Sequence, residues 1–239
     1  TDASPYDSGS YASSTTYVTG MAVRKASEEL KENMMKIAAN KWECYPESLV
    51  FTGNTIDNPA TNESFTHTDI ATFSQCGNTV PIQVTCTHSS KISPPPYMVG
   101  MAEIALDKET GSVEILDYVA VVDCGTVVNT NLATVQTEGG LVQGIGLALS
   151  EDFEDLNHDT TLKNCGIPYP KDAPDDIELH FNETYRPSGP YGAAGCGEAP
   201  LDAPHPAILN AIFNATGARI TRIPARPERV LAALKELEK

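Results

Sequence analysis

The chain has 239 residues, and 16 Lys+Arg against 32 Asp+Glu give it a formal net charge of −16. That acidity excludes nucleic-acid binding by phosphate neutralisation, and the length is ample for a buried core. With 41% apolar residues and no run of about 18 apolar residues, the composition predicts a globular chain without a membrane span.

Residues 1–15, rich in Ser, Thr, Gly and Tyr, have no helical period and read as loop or extended chain. From Thr16 to about Asn40, Val18, Met21, Ala22, Ala26, Leu30, Met34 and Ile37 recur at steps of three and four. They lie opposite Lys25, Glu28, Glu29, Lys31 and Glu32, so an amphipathic helix is predicted. Short strands are expected at Leu49–Thr52 and Pro81–His88, a short helix after Thr66, and a stop at Pro94-Pro95-Pro96.

Tyr97–Leu106 and Ser112–Val122 are β-rich and joined by Asp107–Gly111, the pattern of a hairpin. A helix from about Asn131 to Leu149, an acidic stretch at Glu151–Asp155 and a strand at Ile177–Glu183 follow. Glycines at 189, 192, 195 and 197 cost too much backbone entropy for a regular element, so Gly189–Glu198 must be a shaped loop. Asp202 and Pro204 start another helix with an apolar stripe at Ile208, Leu209, Ile212 and Phe213, Gly217 caps it, and a last helix covers Pro227–Leu237. With no repeat and no linker, the expectation is one compact α+β unit spanning residues 1–239.

The six cysteines (Cys44, Cys76, Cys86, Cys124, Cys165 and Cys196) form no C-x-x-C pair and read as free thiols. Nothing resembles a secretory leader, so a cytoplasmic location is expected. The five histidines are far apart in sequence, which argues against a zinc site, and neither phosphate-loop nor serine-hydrolase motifs occur. Arg24, Arg186 and Arg219 read as exposed, solubilising side chains rather than as contacts to a ligand phosphate or a partner.

Three segments call for an explanation. In the helix after Asn131, Gln136, Gly140, Gln143 and Leu147 share one face, with Gly139 and Gly144 beside it. Interior glycines each cost about 1 kcal/mol relative to alanine, so either another element packs tightly there or a ligand approaches while an amide hydrogen-bonds it. Second, Glu198 stands in a Gly-rich loop with no cation nearby. Buried, it would be raised towards the working pH of a general base; exposed, it is an ordinary loop carboxylate. Third, Tyr11-Ala12-Ser13-Ser14-Thr15-Thr16 enters a helix N-terminus, which suits either an anion or simple N-capping. Cys196 has neither a His nor a cation near it in sequence and is not read as a nucleophile.

In this order, Tyr17–Arg24 (YVTGMAVR), Val121–Gly146 (VVDCGTVVNTNLATVQTEGGLVQGIG), Gly189–Pro200 (GPYGAAGCGEAP) and Ile223–Leu234 (IPARPERVLAAL) resemble the molybdenum hydroxylases. This is the xanthine oxidase and aldehyde oxidoreductase family, and the likeness is to the C-terminal part of its molybdopterin-binding subunit. Leu141–Leu201 looks most like the bacterial aldehyde oxidoreductases. The resemblance implies an α+β molybdenum-cofactor domain in which a glutamate, matched by Glu198, deprotonates a hydroxyl on the metal. Oxygen then reaches an electrophilic carbon and a hydride passes to a sulfido ligand. It also implies cofactor contacts by Ala12, Ser13, Ser14 and Thr15, an amide contact by Gln136, and a base loop kept compact by Gly197; no protein side chain ligates the metal.

The implied cofactor is molybdenum–molybdopterin, in the cytosine dinucleotide form or without the nucleotide. The implied partners are the remaining molybdenum-binding portion and a [2Fe–2S] domain or subunit, because the family's first part and its iron–sulfur domains are absent from this sequence. Cys196 departs from the apolar residue that relatives often carry there. An aldehyde is the leading substrate; a purine or other N-heterocycle, or a non-catalytic structural role, is the alternative.

Overall fold

The computed structural model describes residues 2, 4, 6, 7, 9–75, 82–155 and 157–237. The expected single unit is instead two: residues 1–17 with 92–239, and residues 18–91. The division arises because residues 18–91 bury their apolar side chains among themselves.

From Val18 on, helix α1 (Thr15–Trp42) belongs to that smaller unit and near its C-terminal end buries Ile37, the last residue of the stripe predicted from sequence, together with Ala38 and Ala39 beside it. Strands β1 (Val50–Phe51), β2 (Thr55–Asn58) and β3 (Glu63–Thr66) form an antiparallel sheet, and helix α2 (His67–Gln75) follows. Ile56 and Ile70 complete the core, with the Trp42 and Phe65 rings 4.6 Å apart. Residues 82–88 alternate inward and outward as the expected strand would, yet they pair with no described strand. Pro81, where that strand was to begin, and Cys76 lie outside the described residues.

The larger unit is built on the predicted hairpin. Strands β4 (Tyr97–Leu106) and β5 (Val113–Asp123) run antiparallel from Tyr97 opposite Asp123 to Leu106 opposite Val113, with a bulge between Glu103 and Ile104. Helix α3 (Thr130–Leu149) follows, and β6 (Ile177–Phe181) returns parallel to β5. Next come the single turn α4 (Ala199–Asp202), helix α5 (Pro204–Thr216) and helix α6 (Pro227–Leu237). Ile115 from the sheet, Ile145 and Ala148 from α3, Ile208 and Ile212 from α5 and Val230 from α6 make the core. The result is the expected α+β class. Among the described residues no helix is long and apolar enough to cross a membrane.

The α3 glycines answer the first question raised by the sequence. A Cβ on Gly140 would fall 2.6 Å from the Pro200 side chain, and one on Gly144 would fall 2.7 Å from the Leu201 carbonyl oxygen. These two glycines therefore allow α4 and the start of α5 to lie directly against α3, whereas Gly139 faces open space. The close packing leaves Gln136, one turn earlier, beside the loop that precedes α4.

Candidate functional site

β5 carries Asp123 and Cys124 to the end of the sheet, and the chain then enters α3, whose N-cap Asn129 accepts a hydrogen bond from the Leu132 N–H at 3.0 Å. Gly125 bridges Ala193, and Ala194 N–H donates to the Cys124 carbonyl at 2.7 Å, so the Gly-rich loop runs beside the end of β5. Thr126 N–H and Arg186 N–H both donate to the Gly192 carbonyl at 3.0 Å.

Asp123 organises this junction. Its Oδ1 accepts from Gly125 N–H (3.1 Å), Thr184 N–H (3.3 Å) and Arg186 Nη2 (3.2 Å), while Oδ2 accepts from Asn182 Nδ2 (3.1 Å). Burial is the largest single influence and pushes the carboxyl up, but the hydrogen bonds from Thr184 and Gly125 with the Arg186 charge together hold it below 3.8. A folded value below the unfolded one means that this stabilisation is full above about pH 4 and is lost as pH falls through the lowered value. Asp123→Asn is therefore expected to cost about 2 kcal/mol at pH 7 and to flatten the acid limb of stability. Urea unfolding at pH 7 and pH 3 checks this, and an unchanged acid limb would contradict it.

Arg186 is thus neither exposed nor turned to the cleft: it pairs with Asp123 and lies over the Tyr97 ring, 5.6 Å from its centroid. Arg24 pairs with Glu28 at 2.9 Å, and Arg219 stacks on Phe213 at 3.8 Å. Two acids of the stretch after α3 are likewise paired, Asp152 with Arg226 and Arg229 and Glu154 with Arg222 and Arg229.

An open cleft of about 530 Å³ lies between the turn before α1, the β5–α3 connection and the Gly-rich loop. Of the residues marked from sequence, Ser13, Thr15, Gln136, Gly197 and Glu198 line it. Ser13 Oγ accepts from the Glu198 N–H at 2.9 Å, and Gln136 Nε2 donates to the Gly197 carbonyl at 2.9 Å. Both bonds hold the backbone of the loop and leave the Glu198 carboxylate out of them.

Ala12 and Ser14 are not on the cleft wall. Ala12 and Ser13 take φ of +51° and +53°, and Ser14 turns back to the Tyr11 carbonyl through N–H (3.1 Å) and Oγ (2.7 Å). These two residues shape the turn that presents Ser13. Compactness of the loop, expected of Gly197, belongs to Gly195, where a Cβ would collide with the Ser13 carbonyl. A Cβ on Gly197 would meet nothing nearer than Ser13 Oγ at 3.6 Å. Glu198 is exposed in this chain, so the burial considered for a general base is not provided by its own neighbours.

Sequence reasoning missed Cys124 and Thr126–Asn129 on the opposite wall. Asn129 was findable as a helix cap ahead of an apolar period; Cys124 carried no local signal. Its consequence is electronic: the neighbouring Cys124 thiol draws the Cys196 thiol below its ordinary value, while Cys124 itself, buried beside it, is pushed up.

The cleft opens at the N-termini of α1 and α3. Its lining offers hydroxyls from Ser10, Ser13, Thr15 and Thr16 and the amides of Asn129 and Gln136, with no Lys or Arg. Such a donor set, backed by helix N-termini, suits the anionic, amide-rich edge of an organic cofactor. Residues 1–174, more than half of the chain, match the model of the molybdopterin cofactor-binding domain. The chain belongs to that family, within the molybdenum hydroxylases.

It is 49% identical over 139 residues to an aldehyde oxidoreductase of Megalodesulfovibrio gigas, covering 58% of this chain and 15% of the relative. It is 31% identical over 245 residues to a probable hypoxanthine oxidase of Escherichia coli (strain K12), covering 99% of this chain and 25% of the relative. The solved quinoline 2-oxidoreductase of Pseudomonas putida 86 superposes with a TM-score of 0.80 at 24% identity, over 98% of this chain and 32% of that one, and shares the fold. The chain thus spans between 15% and 25% of the length of these two curated relatives.

Proposed function

We propose that this chain is the C-terminal portion of the molybdenum-binding part of a hydroxylase that oxidises an aldehyde to a carboxylic acid, with water as oxygen donor and Glu198 as general base. The observation carrying this reading is the convergence of Ser13, Gln136 and Glu198 on one cleft, the first two holding the backbone that bears the third. When bound, the molybdenum cofactor supplies oxygen transfer and accepts two electrons. Ser13 and Thr15 with the α1 N-terminus hold its polar edge, and Ala12 and Ser14 set the turn that aims them. Gln136 spends one N–H on Gly197 and keeps its carbonyl and second N–H for the cofactor side. Glu198 takes the proton, its carboxylate free to face whatever covers the cleft.

The reading extends to a cytosine dinucleotide form of the pterin, to [2Fe–2S] clusters on other domains or chains, and to the remaining molybdenum-binding portion as the cover over Glu198. A cytoplasmic setting suits the free thiols of the described cysteines.

Elemental analysis of the native complex tests the proposal. Stoichiometric molybdenum supports it, and its absence with all partner chains present overturns the catalytic assignment. Gln136→Ala should lower molybdenum retention, because the Gly197 carbonyl and the cofactor lose the same amide; full retention would remove Gln136 from the site. The near full-length likeness to a probable hypoxanthine oxidase favours a second reading, a purine or other N-heterocycle as substrate. Parallel assays with an aldehyde and with hypoxanthine separate the two.

A further inference from the structure

We propose that the remaining molybdenum-binding portion docks on the outer face of the β4–β5–β6 sheet, laying an apolar, basic-rimmed layer over it and continuing the ladder at the free edge of β4. This rests on the reading of the chain as part of a larger molybdenum-binding unit. Most of such a unit lies outside the chain, which spans 25% of a curated relative that it matches along 99% of its own length. The ladder fixes which side chains share the outer face: Val99 stands opposite Val121 and Met101 opposite Val119, with Tyr97 one step beyond. The residues between them, Met98, Ala102, Tyr118 and Ala120, point the other way, into the core shared with α3 and α5. Tyr97, with Arg186 beside it, Val99 and Met101 remain 60–65% exposed. β4 is therefore apolar on both faces while only one is covered. Strands of that kind belong to sheets covered on both sides, and a contiguous exposed apolar patch marks an interaction surface.

The edge and the charges point to the same occupant. Among the described residues β4 pairs with β5 alone, so every second residue of this ten-residue strand directs its N–H and C=O away from the sheet. Exposed edges are usually blunted by proline, lysine or a bulge. β4 has neither proline nor lysine, and its bulge comes only after Glu103, leaving Tyr97–Glu103 regular. On the outer face Glu103 stands directly opposite Asp117, and Glu178 of β6 flanks Val119. Like charges opposite one another weaken a ladder, and among the described residues neither Glu103 nor Asp117 has a basic partner. A Lys or Arg brought in beside them removes that repulsion, while the apolar part of the occupant covers Tyr97, Val99, Met101 and Val121. A second copy of this chain is the poorer fit, because it would bring the same acids at a net charge of −16.

The test uses the native complex. Hydrogen–deuterium exchange reads the edge without any substitution, since the β4 amides bonded to β5 are protected in any case. With the edge paired as well, all amides from Met98 to Ala102 should exchange at least about 100-fold more slowly than those of the Asp107–Gly111 turn. Fast exchange at every second amide would overturn the docking. For the face, p-benzoylphenylalanine is placed at Val99, whose side chain points away from the core, and the complex is irradiated. Mass spectrometry should then find Val99 cross-linked to a peptide of the molybdenum-binding portion outside residues 1–239. A cross-link to residues 1–239 of a second copy, or none to protein, would overturn the proposal. Should the bulky side chain prevent assembly, the exchange measurement on the unsubstituted complex decides. Molybdenum content of the same sample reads the proposed function separately. Molybdenum with an open β4 edge defeats this inference alone, whereas a covered edge without molybdenum defeats the catalytic reading alone.

Discussion

Replacing Glu198 by Gln is expected to lower turnover by roughly 10²–10⁴-fold, the usual worth of a positioned general base, while leaving molybdenum content and folding stability unchanged. The expectation rests on how the residue is held. Its N–H is bound by Ser13 and the carbonyl before it by Gln136, so the side chain can change without moving the loop. Glutamine matches the volume and removes only the ability to take a proton. The carboxylate is exposed, so its loss should shift stability by no more than about 0.5 kcal/mol. Steady-state oxidation of an aldehyde by the holoenzyme, with elemental analysis of the same sample, checks both halves. Undiminished turnover would take Glu198 out of the mechanism.

The second large effect is expected at Gly195. An alanine methyl there would run into the Ser13 carbonyl, a backbone atom in a turn already carrying positive φ at Ala12 and Ser13. Nothing flexible is available to yield, so Gly195→Ala should destabilise the larger unit by about 3 kcal/mol and break the Ser13–Glu198 bond. Gly197→Ala is the control: its methyl meets only ordinary contacts, so the change should stay within about 1 kcal/mol. Thermal unfolding and molybdenum content of the two variants decide the matter. Equal tolerance would mean that the Ser13 turn is not fixed against the loop.

What could be read from the sequence followed how local each signal was. The α1 stripe, the Asp107–Gly111 hairpin, α3, the Gly217 cap with φ of +78° and α6 all rest on neighbours within a few residues, and each is present. β2 and β3, which are short and polar, gave no alternation strong enough to announce them. Residues 82–88 show the opposite failure, because their alternation is real but a strand also needs a partner, which no local pattern supplies. The same limit applies at the site. Gln136 and Glu198 stood out because glycines surrounded them, whereas the Asp123–Arg186 pairing depends on segments brought together only by the fold.

The bond between Ser13 and Glu198 joins residues 185 apart in sequence. On a ribosome adding 5–20 residues per second, the N-terminal wall of the cleft waits roughly 10–40 s for its counterpart. Until the Gly-rich loop has emerged, the Ser13 turn lacks the Gly195 backbone that braces it. If the cofactor occupies this cleft as proposed, its insertion is expected to follow synthesis of nearly all of the segment rather than to accompany it.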